Sequence, residues 1–131
     1  MGKTKRIAKA PESAAATDFS PLVNAVITGI KEKKGHEIIV MDLKPTGTAL
    51  ADYFIICHGD SHTQVDALAR SVEEEVQELT GERPVFKEGH QNAEWILLDY
   101  IHVVVHVFLK EQRDFYGIER FWADAETHAI I

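Results

Sequence analysis

The chain has 131 residues, 45% apolar and 27% charged, with a formal net charge of −7, which suits one domain with a real core and not two. No apolar run approaches the roughly 20 residues that span a bilayer, and the N-terminus lacks the roughly 7–15-residue apolar region of a secretory signal. Cys57 is the only cysteine, so no intrachain disulfide and no thiolate zinc cluster is expected, and a cytoplasmic protein is the simplest reading.

Residues 1–18 read as a basic tail with little to bury. Lys3, Lys5, Arg6 and Lys9 give the first ten residues +4, which leaves −11 on residues 11–131. An acidic body gains nothing from the counterion release that drives nucleic-acid binding. It is drawn to a basic protein surface instead. Little direct RNA contact is therefore expected of the body, while the tail could reach RNA nearby.

Ser20-Pro21 predicts a helix start, an N-cap followed by proline at the first helical position. Val23, Val26, Ile27 and Ile30 follow at helical spacing, Gly29 weakens the pattern slightly, and Gly35 is the expected stop. Glu37 to Leu43 predicts a strand, Lys44-Pro45-Thr46-Gly47 a turn, and Asp52 to Cys57 a second strand, apolar on both faces as central strands are. Gly59-Asp60 ends it. Ser61-His62-Thr63-Gln64 reads as a capping box for a helix with Val65, Leu68, Val72, Val76 and Leu79 inward and Glu73, Glu74, Glu75 and Glu78 outward, closed by Gly81. A short strand over Pro84 to Lys87 and a loop from Glu88 to Asn92 come next.

Glu94 to Phe108 reads as two strands joined near Tyr100 and Ile101, rich in the aromatic and β-branched residues that pleated surfaces favour. In its second half Val103, Val105 and Val107 share one face; Val104, His106 and Phe108 share the other. The Val face suits helices and the His-Phe face suits a partner. Short helices over Glu111–Phe115 and Ile118–Ala123 finish the chain. The fold class is α/β, bordering on α+β: a mixed sheet of about five strands with helices packed on it. Residues 1–18 form the tail, 19–126 a single domain, and 127–131 a C-terminal tail.

Candidate chemistry is thin. Gly59-x-Ser61 at a helix start could hold phosphate on free N–H groups, but phosphoryl transfer also needs closely spaced carboxylates for metal ions, and Asp99 stands alone. Ser61 is better read as an N-cap. His102 and His106 are roughly 13 Å apart on a strand, too far to share one cation. Cys57, in an apolar strand, lacks the electropositive setting of a reactive thiol, and His58 points to the opposite face. No catalytic, cofactor or metal residue is assigned. Trp and Tyr mixed with charged groups fit interface anchors.

Four segments in order resemble the ribosomal silencing factor family, also called Iojap: Ala51-Asp52-Tyr53-Phe54-Ile55-Ile56-Cys57; Gly59-Asp60-Ser61 with Gln64-Val65; Trp95-Ile96-Leu97-Leu98-Asp99-Tyr100 with Val103 to Phe108; and Phe115 to Trp122. The resemblance implies nucleotidyltransferase-like topology without enzymatic activity. It implies a translational repressor that binds the large ribosomal subunit through ribosomal protein L-fourteen and sterically blocks joining of the small subunit. The docking face is expected on Trp95, Leu97, Asp99, Tyr100, His106, Phe108, Arg113, Tyr116, Glu119 and Trp122, with Asp99 and Glu119 pairing with partner Lys or Arg. Neither membrane nor small-molecule substrate is expected. The alternatives are a nucleotidyltransferase-like phosphate-binding enzyme, and a homo-oligomeric module whose dimer buries the same face. The chain departs from the family pattern at Ile101-His102, where Gly-Asp is usual; a β-branched residue resists positive φ, so a longer or type I turn is expected there. Gly117 replaces a larger residue and is expected to loosen the terminal helix.

Overall fold

The computed structural model describes residues 19–131; the basic tail, 1–18, lies outside the described residues. In chain order the elements are α1 (Pro21–Glu32), β1 (His36–Asp42), a 3-10 turn (Lys44–Thr46), β2 (Tyr53–Gly59), α2 (His62–Thr80), β3 (Phe86–Glu88), β4 (Trp95–Asp99), β5 (Val103–Leu109), α3 (Lys110–Tyr116), α4 (Ile118–Phe121) and β6 (Glu126–Ala129).

The strands form one six-stranded mixed sheet in the order β3-β4-β5-β2-β1-β6. Only β2 and β5 run parallel; the other neighbours are antiparallel. The sixth strand fills out the expected mixed sheet of about five strands. It corrects the expected C-terminal tail from residue 127, because Thr127, His128 and Ala129 pair with Met41, Val40 and Ile39. A four-residue, mostly exposed edge strand carries too little apolar alternation to announce itself.

Period-two alternation builds two cores. Val40, Ile55, Cys57, Ile96, Leu98, Val103, Val105 and Val107 meet the apolar stripes of α1 and α2. Met41, Phe54, Ile56, Val104 and Phe108 lie on the opposite face, where Ile118, Trp122 and Ala125 cover them. Leu79, expected inside, is 54% exposed in the last turns of α2, while Ala69 and Ser71 join the buried stripe.

Ser20 caps α1 by accepting from Val23 N–H at 3.3 Å, with Pro21 in the first turn. The residue that turns the chain out of α1 is Lys34, at φ +58°. Gly35 is required for space instead, since a Cβ there would lie 2.5 Å from Ile30 Cγ2 and 2.9 Å from Leu68 Cδ2. Ser61 caps α2 through Gln64 N–H at 3.1 Å. The Gln64 side chain reaches past Ser61: its oxygen accepts from Asp60 N–H at 2.8 Å, and its amide donates to the Lys33 and Lys34 carbonyls at 3.2 and 3.1 Å. One side chain thus serves the start of α2 and the orphan carbonyls at the end of α1.

Gly29 is where the two helices cross. A Cβ on it would lie 2.8 Å from Val72 Cα and 2.9 Å from Ser71 O, and Ser71 Oγ donates to Gly29 O at 2.7 Å. Backbone cannot yield as a flexible side chain can. Gly29→Ala is therefore expected to lose about 2 kcal/mol in urea unfolding through overpacking, although alanine is the better helix former by about 1 kcal/mol. A variant that unfolds at higher urea than wild type would contradict this close crossing.

Candidate protein-docking face

Alternation along β4 turns Ile96 and Leu98 into the helix-side core and leaves Trp95, Leu97 and Asp99 on the other face, each partly exposed. Register sets Trp95 beside Phe108, Leu97 beside His106 and Asp99 beside Val104. On the outer side Phe86 stands opposite Asp99, and Glu88 opposite Leu97. The α3–α4 segment then covers part of this face with Ile118 and Trp122. The β3–β4 end carries no such cover in the two cores.

Aromatic rings line this face in an unbroken chain of contacts. Phe115 meets Tyr116 at 5.0 Å between centroids, Tyr116 meets Trp95 at 4.8 Å, and Trp95 meets Phe108 at 4.8 Å and His106 at 6.0 Å. His106 meets Phe54 at 4.6 Å, Phe54 meets Trp122 at 6.0 Å, and Trp122 meets Phe121 at 5.6 Å. The buried middle fixes the positions of the exposed ends.

The ten residues expected to dock divide accordingly. Trp95, Leu97, Asp99, Tyr116, Glu119 and Trp122 keep accessible surface on this face. Four do not present a surface. Phe108 is fully buried, and His106 is 4% exposed because its own domain covers the middle of the sheet. Tyr100 belongs to the helix-side core. Its hydroxyl is buried without a hydrogen-bond partner among the described residues, and burial, with Glu73 and Glu82 behind it, pushes its pKa up.

Arg113 is the fourth, 5% exposed. Its Nε and Nη2 donate to Glu119 Oε2 at 3.1 and 2.7 Å. Its Nη1 donates to His58 Nδ1 at 2.9 Å and to His36 O at 3.4 Å. One guanidinium thus ties α3 to α4, β2 and β1. Gly117, expected to loosen this end, instead makes the corner between the helices at φ +52°, its N–H on Arg113 O at 2.9 Å, the left-handed cap that glycine adopts without strain. Burial, and secondarily the Arg113 charge, lowers the His58 pKa.

His106 Nδ1 accepts from Trp95 Nε1–H at 3.1 Å. The neutral ring therefore carries its proton on Nε2, which is buried without a partner among the described residues. Burial lowers its pKa to about 4.

Three exposed aromatics escaped the sequence reading: Phe115 at 76%, Phe121 at 78% and Phe86 at 52%. The Phe115-Tyr116 and Phe121-Trp122 doublets were the available signal, but helices this short show no periodicity.

The hairpin holds the sharpest departure from expectation. Ile101 takes a left-handed φ of +77°. His102 N–H donates to Tyr100 O at 3.0 Å, which closes a three-residue γ-turn, and Tyr100 N–H donates to Val103 O at 2.8 Å. Asp99 Oδ1 accepts from Ile101 N–H at 2.8 Å. These bonds hold a β-branched residue in a region that costs about 1–3 kcal/mol.

The alternative sites have a structural account. Ser61 is engaged as an N-cap. Cys57 lies in the helix-side core, and burial pushes its thiol up to about 12. His102 is exposed, 3.6 Å from Asp52 Oδ2, while His106 is buried. Among the described residues no group of three or more His, Cys, Asp or Glu could hold a metal ion.

Over residues 16–130 the chain matches the family model described as ribosomal silencing factor during starvation. It is 37% identical over 106 residues to the ribosomal silencing factor RsfS of Halalkalibacterium halodurans, covering 81% of this chain and 89% of that protein. It is 24% identical over 102 residues to the mouse protein named mitochondrial assembly of ribosomal large subunit protein 1, covering 76% of this chain and 44% of the other. Its fold is similar to a crystal structure from Chromobacterium violaceum, with a TM-score of 0.73 at 39% identity, covering 78% of this chain and 83% of that one.

Proposed function

The chain belongs to the ribosomal silencing factor family, and from that premise we propose that it is a ribosome-associated regulator of translation that acts by docking, without bond chemistry. In this reading it binds the large ribosomal subunit through ribosomal protein L-fourteen, and its bulk keeps the small subunit from joining. The mouse relative's name, which refers to assembly of the ribosomal large subunit, supports that choice of subunit. No helix among the described residues is long and apolar enough to cross a membrane.

The observation that carries the proposal is the half-open sheet face. Leu97, Asp99 and Trp95 stand on β4, which is paired on both sides, beside exposed Phe86 and flanked by Glu88. An apolar centre with an acidic margin, in a chain of net charge −7, suits a basic protein surface and not bare RNA.

The test is co-sedimentation with separated ribosomal subunits. Wild type is expected to pellet with the large subunit alone. Leu97→Arg sets a cation in the open face and is expected to weaken binding at least about tenfold; Phe86→Ala, at an exposed position, is expected to weaken it less and to leave unfolding nearly unchanged. Equal binding by wild type and Leu97→Arg would move the docking surface elsewhere.

A further inference from the structure

We propose that Ile101 is an apolar anchor of the docking face, held outward by its turn to enter a pocket on the same large-subunit protein. This rests on the reading of the β4 face as the docking surface. The first observation is unrelieved strain. Ile101 adopts φ +77° and yet is 57% exposed. Strained non-glycine residues persist where something else requires them. Here the fold imposes the conformation but does not require isoleucine in it. The bonds of the turn use Ile101 N–H, the Tyr100 and His102 backbone and the Asp99 carboxylate. Glycine could make every one of them without strain. Nor does burial of the side chain account for the choice.

The second observation is the company it keeps. Asp52 and Tyr53 N–H both donate to His102 O, at 2.8 and 3.1 Å, and Val85 N–H donates to Asp99 O at 2.8 Å. These bonds join to the turn two segments that bear exposed apolar side chains: Leu50 at 65%, Val85 at 64% and Phe86 at 52%. Apolar groups exposed together at one end of a sheet mark an interaction site more often than chance exposure does.

The third observation selects the occupant. Asp99 shares its face with Trp95 and Leu97, is paired in register with Phe86, and accepts the Ile101 N–H itself. The anchor is therefore continuous with the docking face. A basic protein seated on Asp99 and Phe86 lies next to Ile101. An exposed isoleucine offers little to a phosphate backbone, so a protein pocket is the occupant that fits.

The test uses the full chain and purified large ribosomal subunits, with Ile101→Gly and Ile101→Asn, the two residues most at ease at positive φ. Both variants are expected to melt a few degrees higher than wild type, as relief of backbone strain requires, and to bind the large subunit about tenfold more weakly. Gain of stability with loss of binding is the signature, because damage to the fold would move both the same way. The proposal is overturned if both variants bind as wild type does, or if Ile101→Gly melts lower. It is also overturned, in favour of a second copy as occupant, if the variants dissociate a dimer in sedimentation equilibrium and leave subunit binding intact. Failure of wild type to bind either subunit would sink the docking reading itself, a result distinct from these.

Discussion

Arg113→Ala is expected to lower the free energy of unfolding by about 3 kcal/mol and to abolish binding to the large subunit, although residue 113 would not touch the partner. The guanidinium is 5% exposed and holds Glu119, His58 and the His36 carbonyl together. Removing one member of a buried pair strands the other, which commonly costs about 3–5 kcal/mol. The Glu119 side chain is 27% exposed and can partly rehydrate, so the low end applies. The loss of binding follows from what the tether supports. Without it α3 and α4 lose their charged tether to β1 and β2 and rest on apolar packing of Ile118, Trp122 and Ala125, which loosens the tilted contact of Tyr116 with Trp95. Urea unfolding and near-ultraviolet circular dichroism of Trp95 and Trp122 measure the two effects. Arg113→Lys is expected to restore little, because an ammonium cannot fork between a carboxylate and an imidazole. Wild-type stability in Arg113→Lys would show that charge alone holds this corner.

That corner also marks where sequence reasoning stops. The alternation from Trp95 to Phe108 separates the two faces of β4 and β5, and the period of α1 and α2 identifies their buried stripes, so the helix-side core is readable residue by residue. The pattern says which face a residue takes, not what covers it. His106 and Phe108 sit on the expected face, yet helices too short to show a period close over them. Arg113, His58 and Glu119 meet across separations of 55 and 6 residues. No local spacing reveals such a group, so Arg113 looked like a surface cation.

Backbone conformation was less readable still. Lys34 and Ile101 both take positive φ, where local preference would choose glycine. At Lys34 the neighbouring Gly35 and the Gln64 amide impose the turn. At Ile101 local preference is sound as energetics and wrong as prediction: the strain is present, held by Asp99 and by the pairing of β4 with β5. A strained exception of this kind is what a local rule cannot foresee.

Acidification from pH 7 to pH 4 is expected to destabilise the fold through His106 and His58, with His106 alone contributing about 3 kcal/mol. In the unfolded chain both imidazoles titrate near pH 6.5. In the native fold burial lowers the pKa of His106 to about 4, and burial with the Arg113 charge lowers that of His58. Between those values the unfolded state binds more protons than the native state. The stability these neutral rings allow is therefore complete above pH 6.5. It is lost as pH falls from 6.5 towards about 4, where His106 can at last be protonated in place. Protonation there would turn Nδ1 from the acceptor of the Trp95 indole into a donor facing a donor, and at His58 would set a cation 2.9 Å from Arg113 Nη1. Either event pushes apart groups that order the proposed docking face, so binding to the large subunit, if that face carries it, is expected to weaken over the same range. His106→Gln keeps an acceptor for the indole and cannot titrate. Chemical denaturation at several pH values is expected to show its stability declining less steeply than wild type between pH 6.5 and 4. Carboxylates common to both proteins cancel in that difference. Superimposable profiles would mean that the ring titrates freely, and that the Trp95–His106 bond does not fix its proton.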